Sequence, residues 1–295
     1  MTKILVTGAT GNVGSRVVRE LRSRAAFVRA FVRDPEGAAG TLGDGIELAS
    51  GDFSDAASVR HALEDVDAVF LACSNDPRQV EYETGVVDAA KAAGVGRIVK
   101  LSALGAEAGS PLAFWDWHGR VEDHLRRSGA PAVVLQPSFY MTNLLALAEG
   151  VRQTDALFAP AARARISMID PTDVAAAAVV TLTEEGHAGK TYALTGPEEV
   201  TYERVAEELS AATGRRIGFV PVPNEAARQA MVEAGMPGFV ADQFITLFGL
   251  LRRGAYALTT GAVRDLTGHE PRTIARFARD HAGLFRDLPV QTGTR

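Results

Sequence analysis

The fold of this chain is decided by one stretch near its start, Lys3-Ile4-Leu5-Val6-Thr7-Gly8-Ala9-Thr10-Gly11-Asn12-Val13-Gly14. A short apolar run leads into three glycines spaced three apart, and helical spacing resumes directly afterwards. This is the order strand, tight turn, helix, in which Gly8 permits the turn, Gly11 lets backbone approach a phosphate, and Gly14 lets the helix pack closely on the strand. The N–H groups at the start of the helix carry partial positive charge, so the stretch predicts a turn that binds the pyrophosphate of a dinucleotide. We assign to this turn Gly8, Thr10, Gly11, Asn12, Val13 and Gly14.

The composition is that of an ordinary globular protein. The 295 residues are 46% hydrophobic and 23% charged, enough for one large domain or two unequal ones. The net charge of −5 gives no reason to expect nucleic acid or an anionic membrane as a partner. The longest apolar stretch, residues 174–182, is half of the ~20 residues that a membrane span needs. The single cysteine, Cys73, forms no internal disulfide, so we expect a cytoplasmic protein.

Apolar strands and helices alternate through the first half of the sequence. We predict strands at residues 26–32, 46–50, 68–72, 97–101 and 132–136, and helices to residue 63, at 80–93 and at about 117–127. Such near-continuous apolar strands suit a parallel sheet buried on both faces, which predicts an α/β protein with a Rossmann-type doubly wound parallel sheet.

The second half is less regular. Short strands at residues 166–169 and 191–194 flank a predicted helix at 171–183, and Thr201 is suited to cap a helix that runs to residue 213. A strand at 217–222 and helices near 224–234, 239–251 and 274–284 complete the prediction. We expect a dinucleotide-binding domain at residues 1–150 and a smaller, partly interleaved α/β substrate domain at 151–295.

The end of the second predicted strand indicates which dinucleotide is bound. In NAD-specific folds an acidic residue at this position accepts hydrogen bonds from the ribose, whereas here the strand ends in Arg33. A guanidinium pairs well with a 2′-phosphate, so NADP(H) is the preferred cofactor. The alternative is a solvated surface arginine, with the neighbouring Asp34 preserving some binding of NAD(H).

Two further strand ends are candidate cofactor contacts. Asp52 and Phe53 follow the third strand, where they suit the adenine, or else a helix N-cap and a core aromatic residue. Ala72, Cys73 and Ser74 end the fourth strand, where small residues let the cofactor pass. Cys73 is expected to be a packing residue because no histidine is near it in the sequence.

Motifs spread over nearly the whole chain resemble one family, the NmrA-like group of atypical short-chain dehydrogenases/reductases. Besides the glycine turn, they are Val32-Arg33-Asp34, Gly51-Asp52-Phe53, His118 with Glu122 and residues 125–129, residues 136–143, residues 169–174, and residues 192–198. The resemblance implies dinucleotide binding through the turn and through Pro137 and Phe139 of the 136–143 motif. The group includes type 2 quinone oxidoreductases, triphenylmethane-dye reductases, and regulators that bind the dinucleotide without turning it over.

The resemblance also indicates that the usual proton donor is missing. Typical short-chain reductases use a Tyr-x-x-x-Lys pair, and counting back from Glu122 puts Phe114 and His118 in those positions. Phenylalanine has no proton to give. Reduction of an isolated ketone needs a matched donor, whereas a quinone or cationic dye gives a stabilised product that takes its proton from water. The loss therefore favours a conjugated acceptor, or no chemistry at all.

Three residues are candidates for the catalytic site. His118 lies where the lysine of the pair contacts ribose, which favours a role beside the cofactor, although a histidine satisfied at a helix start is the alternative. Tyr140 resembles a tyrosine of the quinone oxidoreductases and is the best candidate for contacting substrate, with an ordinary half-buried tyrosine as the alternative. Ser102 matches the serine that orients a substrate carbonyl, or is a simple turn serine.

Large aromatic residues are candidates for the substrate pocket. Trp115 and Trp117 are predicted in a Gly/Ala-rich loop, where they form either a stacking lid or an anchor to the core. Phe244 lies on a predicted C-terminal helix and either lines the pocket or belongs to the core. No set of residues has metal-ligand spacing.

The sequence thus predicts an NADP(H)-dependent oxidoreductase that transfers hydride to a flat conjugated acceptor such as a quinone. The alternative is a non-catalytic NmrA-like sensor of the dinucleotide that acts through a partner. We expect a small aromatic or conjugated substrate, no nucleic acid or membrane, and a monomer or homodimer.

Overall fold

Strands and helices alternate along the first part of the chain. The structure, a computed structural model, describes residues 2–24 and 26–286, so residues 287–295 of the predicted second domain lie outside the described residues. The elements in order are β1 (Lys3–Val6), α1 (Gly14–Ser23), β2 (Phe27–Val32), α2 (Pro35–Leu42), β3 (Glu47–Ser50), α3 (Ala56–Ala62), β4 (Ala68–Leu71), α4 (Gln79–Ala92), β5 (Arg97–Leu101), α5 (Ala113–Ser128) and β6 (Ala132–Pro137).

The rest of the chain is mostly helical. A 3-10 helix at Met141–Leu147 opens it, and α6 (Ala148–Thr154), β7 (Ala156–Ala159), α7 (Pro171–Thr183), β8 (Thr191–Leu194), α8 (Tyr202–Thr213), β9 (Gly218–Pro221), α9 (Asn224–Glu233), α10 (Gly238–Arg252), α11 (Ala262–Thr267), α12 (Ile274–Asp280) and α13 (Ala282–Phe285) follow. Among the described residues, none of these helices has the length and apolar character needed to cross a bilayer.

The main sheet has the predicted doubly wound topology. Its seven parallel strands have the order β3-β2-β1-β4-β5-β6-β8. The chain leaves β1 in one direction to build β2 and β3, and then crosses back to place β4 on the other side of β1. Ligands of such sheets bind outside the carboxyl ends of the strands at this reversal point. The residues that follow β1 and β4 therefore define where a ligand is expected.

Burial on both faces explains why these strands are apolar throughout. All four residues of β4 are buried, and so are Ile4, Leu5 and Val6 of β1. Helix α1 covers the sheet with a stripe at helical spacing, Val17, Val18 and Leu21, each with no exposed surface. Burying one such side chain stabilises the fold by about 1.5–3 kcal/mol.

The chain divides into two compact units that are interleaved in sequence. Of the described residues, the first unit contains those up to Ser138, together with Pro171–Thr195 and Thr260–Pro271. The second contains Phe139–Asp170, Gly196–Thr259 and the residues from Arg272 onward. A single boundary at residue 150 therefore does not describe the division. The reason lies in α7, which is buried along most of its length and delivers β8 to the main sheet.

The second unit has its own aromatic core and a small sheet. Strands β7 and β9 pair in parallel over four residues, from Ala156 with Gly218 to Ala159 with Pro221. A row of rings packs beside them, in which Phe248 lies 6.3 Å from Phe139 and 6.2 Å from Tyr202 between ring centroids. Tyr202, with 2% exposure, also contacts the Phe219 ring at 5.4 Å.

Some predicted elements differ from the observed ones. Helix α5 begins at Ala113, four residues earlier than predicted, and includes both tryptophans that we expected in a loop. Residues 166–169 form no strand, only isolated bridges of Ile166 and Ile169. The predicted helix at 274–284 is two helices that meet at His281. The sequence prediction missed five elements, which are α2, the 3-10 helix, α6, β7 and α11.

Candidate functional site

The turn after β1 has the backbone that the glycine pattern predicts. Gly8 has φ +58°, in the left-handed region, and a Cβ on it would lie 3.0 Å from the carbonyl oxygen of Ala72. Thr7 ties this turn to the end of β4, because its buried hydroxyl donates to the Ala72 carbonyl at 2.9 Å and accepts from the Ala72 N–H at 2.8 Å. The two strand ends at the reversal point are thereby held together, a role of Thr7 that the sequence did not indicate.

Gly14 allows α1 to start directly against the turn. A Cβ at this position would lie 2.1 Å from the Gly8 carbonyl oxygen, a distance that no side chain tolerates. Helix α1 has no side-chain N-cap at Val13, so its first N–H groups are not covered by a capping side chain. The turn is thus a cradle of backbone that a Cβ would fill, and it fits a pyrophosphate.

Charged groups gather at the ends of β2 and β3. Arg33 is exposed and makes no ion pair within the described part of the chain. Asp52 accepts hydrogen bonds from the Ser54 N–H at 2.8 Å and from the Ser54 hydroxyl. These bonds, and then the charges of Arg33 and Arg78, lower the pKa of Asp52. Both arginines therefore act on the same carboxylate, and this relation of Arg78 to Asp52 was not predicted from the sequence.

An aromatic row leads from the sheet to Arg78. The Phe53 ring contacts Phe31 at 5.6 Å and stacks on Tyr82 at 6.0 Å, with 21° between the planes of the second pair. The Arg78 guanidinium lies over the Tyr82 ring, 4.8 Å from its centroid, and forms a bidentate ion pair with Glu81. Contact of Phe53 with adenine stays a prediction.

Ser102, at the end of β5, belongs to a polar triplet in which Ser102 and Glu122 are buried and Gln136 is half-buried. Its hydroxyl donates to Oε1 of Glu122 on α5, and Gln136 Nε2 donates to both carboxylate oxygens of Glu122, at 2.9 and 3.1 Å. Since its proton is engaged by Glu122, the Ser102 hydroxyl presents an acceptor lone pair to a ligand in this arrangement. A role in orienting a substrate carbonyl stays a prediction.

His118 lies one turn before Glu122 on α5 and is 8% exposed. Its Nδ1 is 3.1 Å from the Lys100 Nζ and 3.2 Å from the Gln79 Nε2. Burial, and then the Lys100 charge, lower the pKa of His118 well below its usual range. The ring is therefore neutral at physiological pH. Lys100 and Gln79, which contact this ring, and Glu83, which contacts both of them, were not identified from the sequence.

Cys73 follows β4 beside the same charged groups. Burial, and then the Glu83 carboxylate, raise the pKa of the Cys73 thiol to about 12. A thiol with this pKa is protonated at neutral pH and is a poor nucleophile. The assignment of Cys73 as a packing residue is consistent with this environment. Ser74 follows it at an exposed position.

Both tryptophans lie on α5. Trp117 is 9% exposed and packs against Phe114, with ring centroids 5.7 Å apart. Trp115 covers Gly105, where a Cβ would lie 2.6 Å from its ring. Between the two readings left open by the sequence, these contacts favour an anchor for the loop before α5 over a stacking lid.

The other candidate residues are divided between the two units. Pro137, at the end of β6, is buried in the first unit. Phe139, Tyr140 and Phe244 lie in the second unit, where Phe139 is 5% exposed against Phe248 and the other two are half-buried. Burial, and then Tyr256, raise the pKa of Tyr140.

Metal ligation finds no support among the described residues, which contain no group of three or more His, Cys, Asp or Glu side chains arranged to hold an ion. A dinucleotide fits better. Besides the backbone cradle and Arg33, Gln79 carries an Oε1 atom that is buried and has no hydrogen-bond partner within the described residues. Buried polar atoms of this kind call for a partner, which a bound ligand or water supplies.

Two relatives with high similarity to this chain are reductases. The chain is 37% identical over 282 residues to an NAD(P)H azoreductase of Xenophilus azovorans, with 96% of this chain and 99% of the relative covered. It is 38% identical over 283 residues, with the same coverage, to a (4-alkanoyl-5-oxo-2,5-dihydrofuran-3-yl)methyl phosphate reductase of Streptomyces griseus.

Two solved structures have the same fold. An NADPH-dependent quinone oxidoreductase of Escherichia coli in complex with NADPH superposes with a TM-score of 0.86 at 30% identity, covering 94% of this chain and 99% of the other. A Citrobacter triphenylmethane reductase in complex with NADP(H) gives 0.85 at 26% identity, covering 95% and 99%. The NmrA-like family matches residues 1–274. With the glycine turn, the doubly wound sheet and these likenesses in agreement, the chain belongs to the NmrA-like family.

Proposed function

We propose that this chain is an NAD(P)H-dependent oxidoreductase that prefers NADPH and reduces a flat, conjugated acceptor such as a quinone or an azo compound. Membership of the NmrA-like family and the likeness to azo- and quinone-reducing relatives support this proposal. The reduced nicotinamide, when bound, supplies the hydride. The residues of the chain bind the dinucleotide, orient it and the acceptor, and exclude water.

One observation carries the choice of acceptor. The titratable side chains among the candidate site residues that could donate a proton have pKa values far from neutrality: the pKa of His118 is lowered, and the pKa values of Tyr140 and of the Cys73 thiol are raised. A general acid works best with a pKa near the working pH. Phe114, in the position of the usual tyrosine, has no proton to give.

The chemistry that such a site supports follows from this. A ketone needs a proton as it is reduced, because its alkoxide is strongly basic. A conjugated acceptor spreads the new charge over its ring system and takes its proton from water afterwards. A site that positions cofactor and acceptor is enough for the second class.

We assign the cofactor to the glycine turn and to the strand ends beside it. The glycine turn would hold the pyrophosphate, Arg33 the 2′-phosphate, and Asp52 with Phe53 the adenosine. Ala72, Cys73, Ser74, His118, Pro137 and Phe139 complete the proposed cofactor contacts. Tyr140, with Phe244, remains the proposed contact with the acceptor, whereas Trp115 and Trp117, which were candidates for it, anchor the loop before α5. The single thiol agrees with a cytoplasmic location.

Turnover with a graded panel tests the proposal. The protein is mixed with NADPH and either quinones, azo dyes or an unconjugated ketone, and the absorbance of the reduced nicotinamide is followed. We expect consumption with quinones or azo dyes and none with the ketone. Turnover of the ketone at a comparable rate would contradict the argument from the missing acid.

The same missing acid favours a second candidate, a dinucleotide sensor without turnover. NADPH binding measured by titration, together with a panel that gives no consumption, would support the sensor and exclude the reductase.

A further inference from the structure

A continuous chain of polar side chains crosses the interior of the first unit. Glu83 on α4 and Lys100 on β5 form an ion pair of 2.8 Å in which neither side chain has any exposed surface. Lys100 Nζ also donates to the Leu101 carbonyl and faces His118 Nδ1 at 3.1 Å. Gln79 Nε2 bridges from Glu83 Oε2, at 3.1 Å, to the same Nδ1, at 3.2 Å.

The donors and acceptors of these connected polar side chains allow only one arrangement of protons on His118. The ammonium of Lys100 can only donate, and Gln79 must turn its NH₂ group toward the Glu83 carboxylate, which can only accept. His118 Nδ1 therefore faces two donors and carries its lone pair there. The proton of the neutral ring is consequently on Nε2.

The ion pair is costly to bury, which makes a purely structural purpose a poor explanation. Removing two charges from water costs several kcal/mol per ion, and well-packed apolar residues often stabilise a core equally well. What the pair does provide is direction. The Lys100 ammonium contacts Glu83, the Leu101 carbonyl and His118 Nδ1. The first two contacts orient it so that a donor points at His118 Nδ1.

We propose that Lys100, Glu83 and Gln79 are positioning residues that fix His118 as an Nε2–H hydrogen-bond donor toward an oxygen of the bound dinucleotide. His118 is on the helix beside the carboxyl end of β5, keeps 8% of its surface exposed, and has no partner for Nε2 within the described residues. The inference rests on the proposed function only in taking NADP(H) as the dinucleotide.

The groups that face His118 set its response to pH. Lys100 from β5 faces the ring directly, Glu83 from α4 is ion-paired with Lys100 and has Cys73 beside both, and Glu122 lies one turn along the helix of His118. In the native chain the donor is the neutral ring, so it persists as the pH changes. Replacing Lys100 by Met removes a charge that lowers the pKa of His118 and one of the two donors that face Nδ1. The neutral ring then carries its proton on Nε2 in only part of the molecules, and offers Nε2–H in all of them only when doubly protonated.

Nitrogen-15 NMR of histidine-labelled protein without cofactor tests the tautomer directly. We expect the His118 Nε2–H form throughout the range from about pH 5.5 to about pH 8. An Nδ1–H form, or titration within this range, would overturn the proposal. Because this measurement uses the unaltered protein and no turnover, it is independent of whether any acceptor is reduced.

NADPH titration of the Lys100→Met variant tests the consequence for binding. The 2′-phosphate itself titrates near pH 6, so the quantity measured is the ratio of the dissociation constants of variant and native protein at each pH. We expect this ratio to rise to about tenfold as the pH rises, the effect of one lost hydrogen bond. The exposed Lys190→Met variant, as a control, should keep a ratio near one.

The His118→Gln and His118→Leu variants cover the case in which Lys100→Met does not fold. The amide of glutamine keeps a donor near the Nε2 position, so it should retain most of the NADPH affinity, while leucine should lose about tenfold. A pH-independent ratio for Lys100→Met, or equal losses for glutamine and leucine, would reduce the network to a structural role and overturn the proposal. A dead acceptor panel with these binding results intact would contradict the reductase alone.

Discussion

The Phe53 ring stacks on the Tyr82 ring, and the Arg78 guanidinium covers Tyr82 at 4.8 Å from the ring centroid. The charge of Arg78 lowers the pKa of Asp52, and so does the charge of Arg33 at the end of β2. Two arginines that are 45 positions apart in the sequence thus act at one end of the sheet. The first two predictions concern what each arginine contributes to the affinity for NADPH.

Replacing Arg33 by Ala should weaken NADPH much more than NADH. A charge-assisted contact with a phosphate is worth about 1.5–3 kcal/mol, so we expect a tenfold to hundredfold loss for NADPH and little change for NADH. Dissociation constants from fluorescence titration measure both. The exposed Arg60→Ala variant is the matched control. Equal losses for the two cofactors would contradict the assignment of the 2′-phosphate to Arg33.

Releasing Arg78 from its partner should tighten NADPH. Glu81 holds the Arg78 guanidinium through two hydrogen bonds of 3.0 and 2.7 Å, which compete with any phosphate. An exposed ion pair is worth about 0.2–1 kcal/mol, so the Glu81→Gln variant should bind NADPH up to about fivefold more tightly, with NADH unchanged. The gain should vanish when Arg78→Ala is added. A gain in NADPH affinity that persists in the double variant would exclude Arg78 as its cause.

Tyr140→Phe should lower turnover and leave NADPH affinity unchanged, because the proposed contact of Tyr140 is with the acceptor. The raised pKa keeps the phenol protonated, so the rate of the native enzyme should show no tyrosine ionisation up to about pH 10. Steady-state rates against pH, with Tyr192→Phe as the control, measure both effects. An unaltered rate would remove Tyr140 from the site.

A methyl group at Gly14 should destabilise the first unit. The added Cβ would lie 2.1 Å from the Gly8 carbonyl oxygen, so backbone must move, at a cost of about 1–3 kcal/mol. The control is Gly85→Ala in the exposed face of α4, where nothing lies within 4 Å of the added methyl and the helix should gain up to about 1 kcal/mol. Urea unfolding midpoints compare the two, and equal midpoints would contradict the packing argument.

Cys73 should be inert in the native protein. With the pKa of the thiol at about 12, on the order of one molecule in ten thousand carries a thiolate at pH 8. Its reaction with a disulfide reagent should be slow at pH 8 and accelerate as the pH rises toward 12 or when the protein is unfolded in urea. As Cys73 is the only cysteine, the signal is unambiguous. Rapid labelling of native protein at pH 8 would contradict the burial argument.

Local pattern was enough to predict most elements of the first unit, although α2 and α11 were missed. β5 and α7 have the predicted bounds, and most other elements agree within one or two residues. Thr201 caps α8 by accepting from the Arg204 N–H, as predicted. The start of α5 was predicted too late because the Gly/Ala-rich segment before it was interpreted as a loop. In the structure Leu112 and Phe114 are buried in the core, and the helix begins at Ala113.

The candidate site likewise contains residues that the sequence predicted and residues that it did not. The glycine turn and Arg33 are recognisable because each is defined by its position beside one strand. The partners of His118 were missed because Gln79, Glu83 and Lys100 lie 39, 35 and 18 residues away from it in the sequence, and each by itself is an ordinary polar residue. Nothing in the sequence marks them as buried.

The sequence by itself therefore determined the sheet, the glycine turn and the presence of an arginine at the end of β2, because hydrophobic period, glycine spacing and strand ends are properties of neighbouring residues. Only the tertiary structure decided that α7 and β8 return to the first unit, that Arg78 and Arg33 both act on Asp52, and that the buried Glu83–Lys100 ion pair lies against His118. The physical reason is that strand order brings residues from separate segments into contact, and burial then decides which of their protons and charges persist.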